Sequence, residues 1–262
     1  MKNPILLGLD RGVWDYSFDQ ICKKCVELQI DGLEIQPEHP EIFKNFPDTG
    51  TIKKILSDYD IKHISVHAPI KDINISSYNP RIRETSILEL KKTVKFASEI
   101  SNEILYIVVH GGQNSFRSSS NFERFYLPTA LEYTINALKN VIKDCIDHGI
   151  TLSIENMTYS FWRLSSKIKY LDPIFEQIPD LKFTLDYAHG LHGSEKYSLR
   201  LLKKFENRLI SVHIGNYFEI KYLFKHINHL NPFIIIEPHH LRQDLNVFTQ
   251  LQKIIIQIRA LH

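Results

Sequence analysis

Long apolar runs are missing: nowhere in the 262 residues is there a stretch of about twenty apolar residues, the length needed to cross a bilayer. Charge of one sign is missing too. Thirty-two basic against 30 acidic residues leave a formal net charge of +2, which gives no overall field to draw the chain to nucleic acid or a membrane. Cysteine is scarce, and three thiols in a chain of this size make no disulfide framework, as expected of a reducing compartment. The apolar run 5–9 is too brief for a signal sequence, so the expected location is the cytoplasm. No G-x-G-x-x-G or Walker-type loop follows that run, which removes the usual ground for an open nucleotide-binding sheet. There is no linker or low-complexity tract either, and residues 1–262 are expected to form one domain.

Cys22 and Cys25 do form a C-x-x-C, the spacing of redox and zinc motifs. Phe18, Ile21, Cys22, Cys25 and Val26 nevertheless share one helical face, and no second C-x-x-C completes a zinc site. Both thiols, and Cys145 inside another helical pattern, are therefore expected in the core.

What is present is a regular alternation. Short apolar runs at 5–9, 32–35, 63–66, 105–109, 151–154, 183–185, 210–212 and 233–236 read as strands. Between them, helical periodicity covers 17–29, the stretch after Asp48, 81–100, 122–148, 165–177, 194–206, 218–229 and 243–259. Runs such as Phe233-Ile234-Ile235-Ile236 are apolar without alternation, as strands buried on both faces require. Eight strand-helix units in a chain of this length predict a single (β/α)8 TIM barrel.

In such a barrel the chemistry sits where strands hand over to the following loops. Six consecutive runs end in a side chain that can hold a metal: His67, His110, Glu155, Asp186, His213 and Glu237. Carboxylates and imidazoles gathered on one rim repel or stay unsatisfied unless a cation or a tight network compensates them. A divalent metal centre is the expectation, and mixed His and carboxylate donors suit Zn²⁺, Mn²⁺ or Co²⁺ better than Ca²⁺.

These motifs, His67-Ala68-Pro69, His110-Gly111-Gly112, Glu155-Asn156, Asp186-Tyr187-Ala188-His189 and Glu237, carry a resemblance over the whole chain to the xylose isomerase-like superfamily. That superfamily holds sugar isomerases and epimerases together with the endonuclease IV type of apurinic-site nuclease. The resemblance implies, for an epimerase, one metal held by Glu155, Asp186, His213 and Glu237, with Glu155 and Glu237 as the acid/base pair. For the nuclease type it implies a second metal on His67 and His110 with Glu155 bridging, and a third that would take His189. That third metal also requires an Asp-x-His after the seventh strand, which this sequence lacks.

Two functions follow as expectations. The first is a metal-dependent isomerase or epimerase of a free or phosphorylated sugar, in which one glutamate removes a proton beside a carbonyl and the other returns it. The second is a di-zinc phosphoester hydrolase, the one reading under which nucleic acid is a partner. One or two ions are expected accordingly. Substrate contacts are expected from Arg81 and Arg83 at a helix start, Asn156, Asn216 and Trp14. The polar segment 113–124, with Arg117 and Arg124, reads as a loop over the site, and Trp162 as a second aromatic wall. His239 and His240 after Glu237 read as loop histidines facing water, as further metal donors or as an anion site, and Glu34 near the end of the second strand reads as part of the pocket rim or as ordinary strand patterning between Leu33 and Ile35.

Overall fold

The computed structural model describes residues 3–45, 49–101, 103–115, 125–242 and 244–261. Eight parallel strands follow one another in chain order and close into a barrel. They are β1 (Ile5–Gly8), β2 (Gly32–Ile35), β3 (His63–His67), β4 (Ile104–His110), β5 (Thr151–Glu155), β6 (Lys182–Asp186), β7 (Leu209–Ile214) and β8 (Phe233–Ile236). All eight overlap the apolar runs of the sequence, because burial on both faces keeps polar residues within them few, such as Ser65, Ser153, Thr184 and Ser211. Contacts are densest within two units, the first of Met1–His67, Phe96–Leu105 and Ile210–His262, the second of Ala68–Lys95 and Tyr106–Leu209.

In the first unit β8 pairs with both β7 and β1, and β2 with β1 and β3, in registers such as Val212↔Ile234, Leu6↔Ile235, Leu7↔Leu33 and Leu33↔Ile64. Leu6, Leu7, Leu33, Val212 and Ile234 are fully buried. The helix Phe18–Glu27 starts at a capping box, Ser17 accepting from the Gln20 amide while Gln20 accepts from the Ser17 amide, and turns Phe18, Ile21, Cys22 and Cys25 inward. Burial pushes the Cys22 thiol up to about 12 and Cys25 well above the usual thiol value, so neither is a thiolate at neutral pH. The C-x-x-C is core, and Cys145, also pushed up to about 12 by burial, is core as well.

In the second unit β5 pairs with β4 and β6, with His110 opposite Glu155 and Ile154 opposite Phe183. Behind them Phe175, Phe183 and Phe205 make an aromatic cluster with ring centroids 4.8 to 6.1 Å apart. The helix expected from residue 165 begins at Ile168. Ser166 Oγ bonds back to the carbonyls of Ser160 and Arg163 at 2.6 and 2.7 Å, and Ser165 Oγ takes the Gly111 amide at 3.3 Å, which holds both serines in the loop. Two short helices, Pro40–Asn45 and Tyr187–Leu191, lie outside the helical stretches read from the sequence. The helices expected over 122–148 and 243–259 are seen as Leu127–Asp147 and Val247–Arg259; residues 122–124 and 243 lie outside the described residues. Among the described residues no helix is long and apolar enough to cross a membrane.

Gly32 lies close against the paired strand, since a Cβ there would sit 2.0 Å from the His63 carbonyl oxygen. Backbone cannot yield as a side chain does, so Gly32→Ala is expected to destabilise the chain by roughly 1–3 kcal/mol, read as a lower denaturant midpoint. A midpoint equal to that of the unaltered chain would contradict this view of the β2–β3 contact.

Candidate metal centre

Each unit brings a set of strand-end donors together. In the first, Glu34, His67, His213 and Glu237 are 1%, 3%, 0% and 7% exposed, so any charge on them is held almost wholly away from water. His213 lies between two carboxylates, its Nε2 3.1 Å from Glu34 Oε1 and its Nδ1 3.3 Å from Glu237 Oε1. Ser65 Oγ donates to the other Glu34 oxygen at 3.1 Å. The His67 ring lies 6.0 Å from that of His213, centroid to centroid. Burial works against a charge on His213, but Glu34 and Glu237 outweigh it and raise the imidazole pKa well above its ordinary value.

Glu34 is the residue the sequence understated. Its position in an alternating Leu33-Glu34-Ile35 reads as ordinary strand patterning, yet it is as buried as the ligand candidates and fixes the His213 ring from behind. A carboxylate on one imidazole nitrogen leaves the other, Nδ1, to face Glu237, the usual arrangement behind a metal-bound histidine.

In the second unit Glu155 offers its two oxygens to two histidines, Oε1 to His189 Nδ1 at 2.9 Å and Oε2 to His110 Nε2 at 3.4 Å. His189 Nδ1 is also 2.9 Å from Asp186 Oδ2. Asp186 caps the Tyr187–Leu191 helix, its Oδ1 taking the His189 amide at 2.7 Å, and that turn swings His189 back over the carboxylates. Asn156 locks the ends of β5 and β6 together, donating to the Asp186 carbonyl at 2.8 Å and accepting the Asp186 amide at 2.9 Å. Burial lowers the His189 pKa, but Asp186 and Glu155 overcome it and push it up to about 11. An imidazolium thus bridges two buried carboxylates where a divalent cation would fit.

Beside His110 the second unit has a cleft of about 200 Å³ walled by Lys71, Asn74, Gln113, Met157 and Arg163. Its wall is stitched by Asn74, which bonds the Gln113 carbonyl and amide at 2.6 and 3.0 Å, and by a bridge between Gln113 and Arg163. Gly112, at φ +76°, allows the turn that starts this wall.

The remaining expected contacts are spread more widely. Trp14 Nε1 donates to the Leu9 carbonyl at 3.0 Å, beside the end of β1. Arg83 lays its guanidinium over the Tyr133 ring at 3.9 Å and bonds the Ser77 carbonyl, while Arg81 is exposed on the same first turn of the helix Pro80–Ile100. Asn216 caps the helix Tyr217–Ile227, accepting the amides of Phe218 and Glu219. Glu219 in turn accepts the Gly215 amide at 2.7 Å, so the residues after β7 serve a helix start. Trp162 packs edge-on against Phe161. Arg117 and Arg124 lie outside the described residues.

With this geometry in view, the chain belongs to the xylose isomerase-like TIM barrel family, whose sequence profile matches residues 22–255. It is similar to an uncharacterized protein of Methanocaldococcus jannaschii, 27% identical over 185 residues, a match covering 70% of this chain and 66% of that one. The matched region thus spans about two thirds of that relative's length. Among solved structures it resembles a D-tagatose 3-epimerase-like protein, with 20% identity, TM-score 0.76 and coverage of 99% of each chain. It also resembles a 3-keto-D-glucoside 4-epimerase from E. coli, with 13% identity, TM-score 0.80 and coverage of 99% and 100%. At these identities the likeness is one of fold.

The donor set fits a divalent ion: buried carboxylates in excess, with imidazoles that hold protons in its place. A metal must displace such protons, because an imidazole ligand binds through a lone pair. Glu34 and Glu237 favour a proton on His213, which a metal has to displace, so affinity for Zn²⁺ or Mn²⁺ is expected to rise with pH, by up to about tenfold per pH unit for each proton released. Calorimetric titration in buffers of different ionisation enthalpy counts those protons. Affinity that stays flat between about pH 6 and 8 would contradict this reading.

Proposed function

We propose that this chain is a metal-dependent isomerase or epimerase of a sugar or sugar phosphate. Glu155, Asp186, His213 and Glu237, at the ends of four consecutive strands, hold one Zn²⁺, Mn²⁺ or Co²⁺. When bound, that ion supplies a Lewis acid that makes a C–H beside a carbonyl more acidic. Glu155 and Glu237 are the proton carriers, one removing the proton and the other returning it. The observation that carries the reading is the presentation of these two glutamates. Each is buried, and each directs one oxygen at a histidine within 3.3 Å, Glu155 Oε1 at His189 and Glu237 Oε1 at His213, while its second oxygen faces a more distant imidazole. One oxygen can then serve a cation while the other exchanges a proton.

Both similar structures are named for epimerases, which supports this reaction class. Lys71 and Arg163, on the cleft beside His110, put two cations where a phosphate or carboxylate on the substrate would meet them, which favours an anionic sugar. Trp14, Asn156, Arg81, Arg83 and Asn216 are the candidate substrate contacts under this reading, and all but the exposed Arg81 also have side-chain partners within the protein. The hydrolase reading keeps one specific support: His110 lies 3.4 Å from Glu155, as a second ion bridged by Glu155 would require.

The test is exchange of carbon-bound hydrogen with solvent. Incubation with Mn²⁺ in heavy water against a panel of ketoses and their phosphates is expected to give deuterium incorporation, seen by NMR. Glu155→Gln is expected to cut its rate by about a hundredfold to ten-thousandfold at saturating metal. Cleavage of an abasic-site duplex with no incorporation into any sugar would overturn the proposal and favour the hydrolase.

A further inference from the structure

The geometry points to a second divalent-cation site, on the turn after β8, formed by Glu237 Oε2, His239 and His240 with Asp10 orienting His239. One metal-competent atom from each of Glu237, His239 and His240 lies within 4.8 Å of the others. His239 Nδ1 is 2.6 Å from Asp10 Oδ2, and the His239 amide donates to the same oxygen at 3.1 Å. The other Asp10 oxygen accepts the Gly12 amide at 2.7 Å. The Asp10 carboxylate is therefore pinned on both oxygens, and a proton on Nδ1 leaves the His239 lone pair on Nε2, the state a metal ligand requires.

His240 contributes from the next position. Its ring stacks on that of His239 with centroids 3.9 Å apart, and its Nε2 is 3.6 Å from Glu237 Oε2, too long for a hydrogen bond. The turn is held in place by close backbone approach on two sides. A Cβ on Gly12 would lie 2.4 Å from the Pro238 carbonyl carbon, and one on Gly215 would lie 2.5 Å from His240 Cβ. The two histidine side chains are 23% and 30% exposed, so an ion can reach them from solvent. Two imidazoles and a carboxylate suit Zn²⁺ or Co²⁺ rather than Ca²⁺.

Glu237 links this site to the proposed reaction, and this consequence rests on that reading. Its Oε1 faces His213 and its Oε2 faces His240. An ion on the turn takes the oxygen that proton exchange requires, and the two uses exclude each other. Filling the second site therefore stops the exchange.

Cobalt is the probe. Full-length protein, stripped with chelator and titrated with Co²⁺ alone, is expected to bind one equivalent more than a His239→Ala, His240→Ala double variant, by elemental analysis after dialysis and by visible absorption. Asp10→Asn, which spares every proposed ligand, is expected to weaken one equivalent by about ten- to a hundredfold and leave any other unchanged. Equal stoichiometry in the double variant and the unaltered chain, or an Asp10→Asn isotherm that superimposes on the unaltered one, would overturn the second site alone. An unaltered chain that binds no Co²⁺ would overturn the proposed function as well.

Discussion

Burying carboxylates without water is the constraint on which the rest of this structure depends. Glu34, Glu155, Asp186 and Glu237 are each 7% exposed or less, all at strand ends. An isolated ion taken from water to such a place costs on the order of several kcal/mol even after relaxation, so each one demands a positive partner. Histidine supplies it: His213 between Glu34 and Glu237, His189 between Glu155 and Asp186. That solution is reversible in a way a lysine or arginine would not be, because an imidazolium can release its proton to solvent as a metal arrives and remain as a ligand.

The surrounding scaffold serves the same end. Strands apolar on both faces fix where each chain segment ends, and those ends fix the donors. Asn156 ties the tip of β5 to that of β6 through two hydrogen bonds, and Ser65 steadies Glu34 from the neighbouring strand. Donors held this way undergo little reorganisation when a ligand arrives, which is the usual physical advantage of building a site on strand ends rather than on free loops.

Much of this was legible in the sequence, and for definite reasons. The strands stood out because a strand buried on both faces is a largely apolar run, and the candidate donors stood out because each directly follows one. Glu34 was harder, since one acidic residue between Leu33 and Ile35 looks like alternation, and its partner His213 is far away along the chain. The Asp10–His239 contact spans 229 positions, and no local pattern encodes it. Arg83 and Asn216 show the opposite case. Their residue types suggest anion or sugar contacts, and the folded chain also pairs them with Tyr133 and the start of a helix, partners that no local pattern announces.

Family membership gives the barrel, and the site has to give the chemistry. The proposed chemistry requires one ion on Glu155, Asp186, His213 and Glu237. Crystals soaked in Mn²⁺ and measured for anomalous scattering locate such an ion directly. The expected result is a peak in contact with Glu155, Asp186, His213 and Glu237 at ligand distances of about 2.0–2.3 Å. An anomalous map with no peak at those four side chains, in crystals that take up Mn²⁺ elsewhere, would contradict a shared ion at this rim.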